Sequence, residues 1–160
     1  VTDHQDLYDL VQKYKVILLR SLTKSYGITG LRLGYSLANA EITSQINQYI
    51  PPWSVNTLAQ NAGIHLFSGN DHIQTGKEII DKSKNYLINA LTDLGYTVEP
   101  SNANFILVKV SSAKKMRDSL ILRNIIVRDC TSFGLPEHVR IGIRSIPDCK
   151  ILIEAIHQVT

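Results

Sequence analysis

Lys24 is the residue in this chain best placed for covalent chemistry. It follows an apolar run, Val16-Ile-Leu-Leu19, that reads as a buried strand. It therefore falls just past a strand's end, where open α/β sheets keep their ligand crevices. Ser21 and Thr23 bracket the approach to it, and Arg32 follows eight residues later, after Gly27 and Gly30. A lysine amine can form a Schiff base with a carbonyl. An arginine and nearby hydroxyls can hold a phosphate through charge-assisted hydrogen bonds. The two glycines would let the backbone bend and come close to a ligand. The set suits a phosphorylated aldehyde; spacing alone leaves an ordinary surface loop with a solvated lysine open as well.

A second set lies near the C-terminus. Arg140 and Arg144 flank Ile141-Gly-Ile143, and four-residue spacing puts both on one face of a strand. Paired arginines can clamp a carboxylate or phosphate bidentately. The competing reading is an edge strand with exposed basic residues.

The elements that must position these residues follow from periodicity. Asp3 can cap a first helix carrying Leu7, Leu10, Val11 and Tyr14 on one face. Val16 to Arg20 is the first strand, and Leu31 to Ala38, with Gly34 inside it, the second. The loop from Ser21 to Gly30 is too short for a helical crossover, so the two strands should be antiparallel, with Arg32 beside the lysine loop. A short helix over Glu41 to Tyr49 is stopped by Pro51-Pro52. Trp53-Ser-Val-Asn56 precedes a helix running to about Phe67, with Gly69 as its stop. That string reads first as a turn with a core tryptophan and an N-cap, and second as a substrate contact.

Asp71 to Leu94 is the longest helical pattern, striped by Ile79, Ile80, Ser83, Tyr86, Leu87, Ala90, Leu91 and Leu94 and ended by Gly95. Then the period changes. Tyr96 to Glu99, Phe105 to Val110, Ile125 to Arg128 and Val139 to Arg144 read as strands, and Ser112 to Asn124 as a helix. A last helix starts at Ser145-Ile-Pro-Asp148 and buries Ile151, Leu152, Ala155, Ile156 and Val159. Such mixing implies a small α+β lobe.

Composition narrows the function classes. With 160 residues and 44% hydrophobic content the chain can build one ordinary core. Its net charge of +3 is small, and Lys109 to Arg117 reads as a solvated helix face rather than a nucleic-acid patch. No apolar run approaches the ~20 residues that cross a bilayer. Cys130 and Cys149 show no metal or redox spacing, which favours a reducing cytoplasm. The histidines show no ligand spacing. The chain opens on Val1 without Met, close to a helix that leads straight into a strand, which suggests a fragment.

The pattern Ser-x-Thr-Lys-(x)5-Gly-x-Arg-x-Gly-Tyr, from Ser21 to Tyr35, resembles the lysine motif of class I/II aminotransferases, the fold-type-I pyridoxal-phosphate enzymes. Within them it is similar to the branch of histidinol-phosphate aminotransferase and threonine-phosphate decarboxylase. The resemblance covers the whole chain but only the C-terminal half of a family member. It implies an α/β fold: the C-terminal part of the cofactor-binding large domain over residues 1–70, an interdomain helix over 71–95, and a small α+β lobe over 96–160. It implies pyridoxal 5'-phosphate as cofactor, with Lys24 as the Schiff-base lysine and Ser21, Thr23 and Arg32 on its phosphate. Arg140 matches the arginine that binds the substrate carboxylate, and Arg144 a second arginine of that motif.

Other stretches carry the same likeness. Ala103-Asn104-Phe105 resembles a strand entry beside the substrate, though Asn104 is as readily a turn residue before a core phenylalanine. Ser132-Phe-Gly-Leu135 resembles a loop that could close over substrate. Pro-Pro-Trp-Ser-Val-Asn and Arg128-Asp-Cys resemble the decarboxylase branch. The first expectation is therefore decarboxylation of L-threonine O-3-phosphate, a step toward the cobalamin side chain. The alternatives are transamination of histidinol phosphate with a 2-oxo acid, and a non-catalytic fragment. The resemblance further implies a cytoplasmic homodimer handling a phosphorylated amino acid or amino alcohol, with no nucleic acid, membrane or metal. It places before Val1 an aspartate at the pyridinium nitrogen, an asparagine and a tyrosine near the ring hydroxyl, and an aromatic stacked on the ring. The 160-residue chain alone is accordingly expected to be inactive.

Overall fold

A short antiparallel hairpin anchors the first half of the chain. The structure, a computed structural model, describes residues 4–66 and 72–159. The expected cap at Asp3, the helix end at Phe67, the Gly69 stop and the helix start at Asp71 lie outside the described residues. The chain divides into two compact units, Val1–Ile73 and Gln74–Thr160.

In the first unit, α1 (His4–Lys13) leads to β1 (Leu18–Ser21), the single-turn α2 (Leu22–Ser25), a 3-10 turn (Thr29–Leu31), β2 (Gly34–Leu37), α3 (Ala40–Asn47) and α4 (Thr57–Leu66). β1 and β2 are antiparallel, paired from Leu18↔Leu37 to Ser21↔Gly34. The Leu22 N–H donates to the Leu33 carbonyl at 3.1 Å and carries the pairing past the last ladder residue. Gly34 is required here: a Cβ at this position would stand 2.7 Å from the Arg20 carbonyl oxygen. Gly63 likewise lets α4 approach Leu33, whose Cδ2 would be 3.1 Å from an added Cβ.

Three expectations for this unit change. The first strand is not buried: Leu19 is 81% exposed and Ile17 is also exposed. β1 has a single strand neighbour in this sheet, and a two-stranded ribbon covers little of its own surface. The second strand starts at Gly34 instead of Leu31, because Thr29–Leu31 closes into a 3-10 turn and Arg32 takes a left-handed backbone, φ 56°. Trp53 is not a core residue; it is 97% exposed. The capping expectation for the same string holds, since Asn56 Oδ1 accepts from the Ala59 N–H at 2.9 Å. α3 is capped similarly by Asn39, and α1 buries Val11 but leaves Leu10 and Tyr14 exposed.

The second unit follows from α5 (His72–Asp93), whose last turn closes on Gly95 at φ 84°. The Tyr96 N–H returns to Leu91 O and the Gly95 N–H to Thr92 O, the pairing of a Schellman cap. Then come β3 (Val98–Glu99), β4 (Phe105–Lys109), α6 (Ala113–Ile121), β5 (Arg128–Asp129), β6 (His138–Gly142) and α7 (Ile146–His157). The strands form an antiparallel sheet in the order β3-β4-β6-β5. Alternation puts Ile106 and Val108 of β4, and Val139 and Ile141 of β6, on one face. There they meet Leu87 and Leu91 of α5, Leu120 of α6, and Leu152, Ala155 and Ile156 of α7. Each such fully buried Leu or Ile contributes roughly 1.5–3 kcal/mol.

The other face of β4 and β6 carries Phe105, Leu107, Lys109, His138 and Arg140. All four strands are shorter than the pattern suggests, and two of them are cut short for a visible reason. Ile125 does not join the sheet, because Asn124 turns left-handed and the Ile125 N–H bonds back to Leu120 O, closing α6. Arg144 falls beyond β6, because Ser145 caps α7 through the Asp148 N–H. Ile79 and Ile151, expected on buried stripes, are exposed.

Candidate functional site

The first unit brings the expected lysine group to one end of its hairpin. Ser21 ends β1 and is the N-cap residue of α2, making no side-chain capping bond. Thr23 and Leu22 are buried, which fixes the turn, while Lys24 in the same turn is exposed. On the returning side Arg32 is exposed two residues before Gly34, the pairing partner of Ser21. Lys24 and Arg32 thus leave the same closed end of the ladder from opposite strands. Gly27 supplies one left-handed turn at φ 67°, and Arg32 itself supplies another. The Arg32 Nη1 donates to Thr29 O at 3.3 Å, and the Asn56 Nδ2 donates to Leu31 O at 3.3 Å. A neighbouring cavity of about 960 Å³ is lined mainly by apolar residues, among them Leu22, Leu33, Tyr35, Trp53 and Ile64; neither Lys24 nor Arg32 lines it.

The second unit carries the arginine group on the open face of its sheet. Arg140 sits in β6 opposite Leu107, its guanidinium carbon 5.1 Å from the Phe105 ring centre. Arg144 does not share this strand face. Its Nε stands 3.7 Å from Asp148 Oδ2 in the first turn of α7. The cation that does face Arg140 is Arg128, directly across the β5–β6 ladder. The sequence reading placed Arg128 at the end of a strand and gave it no site role; β5 is two residues long and offers no alternation to read. The Arg128 guanidinium lies over the Phe133 ring at 5.3 Å and donates to Ser132 Oγ at 3.1 Å. Asn104 is exposed just before β4, and its carbonyl accepts from the Ile143 N–H at 2.9 Å.

Asp129 pins this edge strand from the opposite face. Its carboxylate accepts from the Thr131 N–H at 2.8 Å and from the Thr131 hydroxyl, and Arg117 of α6 reaches it at 3.4 Å. The Thr131 bonds, with Arg117 and Arg128 adding to them against a burial cost, hold its carboxyl below the usual range. A depressed carboxyl stabilises the fold above its unfolded pKa and loses that contribution as pH falls through its folded pKa. Asp129→Asn should therefore melt below the wild type at neutral pH. The gap should narrow as pH drops below about 4; melting curves across that range check it, and a gap constant with pH would contradict it.

Among the described residues there is no cluster of three His, Cys, Asp or Glu that could hold a metal, and no helix long and apolar enough to cross a membrane. Cys130 and Cys149 are both free and buried.

This mixed α/β architecture matches solved fold-type-I pyridoxal-phosphate aminotransferase structures over about half of their length. The family model for aminotransferase class I and II matches residues 1–156, and the chain belongs to this family of pyridoxal-phosphate enzymes. It is 35% identical over 149 residues to a histidinol-phosphate aminotransferase of Symbiobacterium thermophilum, covering 92% of this chain and 41% of that protein. The histidinol-phosphate aminotransferase structure from Clostridium acetobutylicum superposes with a TM-score of 0.87 at 28% identity, over 94% of this chain and 48% of that one. An L-threonine-O-3-phosphate decarboxylase from Porphyromonas gingivalis gives a TM-score of 0.83 at 26% identity, over 94% of this chain and 49% of that one. The chain thus spans less than half the length of each of these relatives.

Proposed function

We propose that the protein carrying this chain is a pyridoxal 5'-phosphate-dependent aminotransferase of the histidinol-phosphate type, and that this chain supplies its lysine anchor and its substrate-anion grip. The observation that carries the reading is the shared hairpin end from which Lys24 and Arg32 emerge. The donor set suits the cofactor: a primary amine for its aldehyde, and a guanidinium with two hydroxyls for its phosphate ester. Bound there, pyridoxal 5'-phosphate would supply an electron sink for charge developing at the substrate's Cα.

Lys24 is the residue that would hold the group by its aldehyde, and its Nζ is the amine that would move a proton at the substrate's Cα. Ser21, Thr23 and Arg32 would hold the phosphate. In the second unit Arg140 and Arg128 take the substrate's carboxylate or phosphate, with Asn104 at the entry to the neighbouring strand. Like charges directly opposite on a ladder are destabilising, so this pair of guanidiniums is better satisfied by a shared anion than by its absence. Arg144 acts outside that pair, through its tie to Asp148.

The Trp53 and Arg128 strings on their own favour the decarboxylase. The 35% identity to a histidinol-phosphate aminotransferase supports the opposite order. Decarboxylation of threonine phosphate stays as the second reading because of the Porphyromonas gingivalis structure. The two differ in which bond at the substrate's Cα is broken, to hydrogen or to the carboxylate. The test supplies the purified full-length protein that carries this chain with pyridoxal 5'-phosphate and either histidinol phosphate plus a 2-oxo acid, or threonine phosphate. Amino transfer from histidinol phosphate is expected. CO2 release from threonine phosphate without amino transfer would establish the second reading, and neither reaction from cofactor-loaded protein would overturn both.

A further inference from the structure

Asn56 makes two side-chain bonds that point in opposite directions. Its Oδ1 accepts from the Ala59 N–H at 2.9 Å and caps α4. Its Nδ2 donates at 3.3 Å to the carbonyl of Leu31, twenty-five residues earlier in the chain. The amide has one acceptor and one donor group, and the Ala59 N–H must face the acceptor. The donor is thereby aimed at Leu31. A simple cap needs only the first bond, and serine would supply it equally well.

The Leu31 carbonyl lies in the same rigid peptide plane as the Arg32 nitrogen. Rotation about the next bond is the φ of Arg32, which stands at 56°, in a region that residues with a Cβ seldom occupy. Tethering that plane therefore fixes the direction in which Arg32 leaves the chain. Within this short 3-10 turn the Leu31 N–H donates to Ile28 O at 3.2 Å. The Asn56 amide adds a hold on the Leu31 carbonyl from outside the turn.

We propose that Asn56 is a positioning residue for the cofactor's phosphate: by holding the Leu31–Arg32 peptide it keeps the Arg32 guanidinium aimed at the ester. The proposal rests on the reading of Arg32 as a phosphate ligand.

The test compares binding of pyridoxal 5'-phosphate with that of pyridoxal, which has the same aldehyde and no phosphate. Wild-type protein, Arg32→Ala and Asn56→Ser are titrated with each, and thermal midpoints are recorded. Asn56→Ser keeps the cap and loses the reach to Leu31. Its preference for the phosphorylated form should fall about tenfold, less than in Arg32→Ala, with pyridoxal binding and the midpoint unchanged. If Asn56→Ser melts early, Asn56→Asp, which keeps the acceptor and has no N–H, carries the same comparison. An unchanged preference in the Asn56 variants, or an equal loss for both ligands, would overturn the positioning role while Arg32→Ala still loses its preference. A preference retained by Arg32→Ala would instead remove the phosphate assignment of Arg32, and the inference with it.

Discussion

Lys24→Ala should lower kcat by on the order of 10²–10⁴-fold, the usual contribution of a positioned proton-transfer group, even when pyridoxal 5'-phosphate is saturating. On the proposed role two losses would combine in this variant: the cofactor aldehyde would lose its covalent partner, and the substrate Cα the amine that moves its proton. Lys24→Arg should fare no better, since a guanidinium keeps the charge but is not deprotonated in proteins and cannot take the amine's part. The fold should tolerate either change, because Lys24 is solvent-exposed while its neighbours Leu22 and Thr23 hold the turn. Steady-state kinetics beside a thermal melt separate these statements. A Lys24→Ala protein that folds normally and turns over within tenfold of wild type would contradict the role.

Arg140→Ala carries the second large effect. A hydrogen bond to a charged group typically contributes about 1.5–3 kcal/mol, so KM for the anionic substrate should rise roughly 10- to 150-fold. Arg140→Lys should recover little of this, because an ammonium cannot present the planar fork that a carboxylate or phosphate fits. Arg128→Ala should shift the same KM in the same direction by less, since Arg128 sits on a two-residue edge strand and is shared with Ser132 and Phe133. Arg144→Ala should change KM least, because its partner is Asp148 in α7. The order Arg140, Arg128, Arg144 is the checkable content. A larger effect at Arg144 than at Arg128 would restore the clamp that spacing alone suggests.

The sequence was informative where side-chain chemistry and chain geometry agree. An antiparallel hairpin was forced by the short stretch between two apolar runs, and the lysine's place at its end followed. Caps at Asn56 and Ser145 were legible because each is a short polar side chain before a periodic run. The failures have physical causes. Arg32 was read into a strand because its neighbours Leu31 and Leu33 are strand-like; no local pattern announces a left-handed arginine. Leu19 and Trp53 were assigned to a core because apolar residues usually are buried, yet burial needs a covering layer that residue type cannot report. Arg128 was missed because a two-residue strand has no period, and it was found through its ladder partner. Arg144 was placed on the strand by counting, and Ser145 turned the chain away into α7.

Reduction with borohydride in the presence of limiting pyridoxal 5'-phosphate, followed by peptide mapping, tests most directly whether the amine at position 24 is the cofactor's anchor. The reduced adduct should appear on the peptide containing Lys24, saturate at one equivalent per chain, and vanish in Lys24→Ala. A label concentrated on Lys13, Lys15 or another lysine, or spread over many at the same low ratio, would contradict the assignment of this hairpin as the cofactor site.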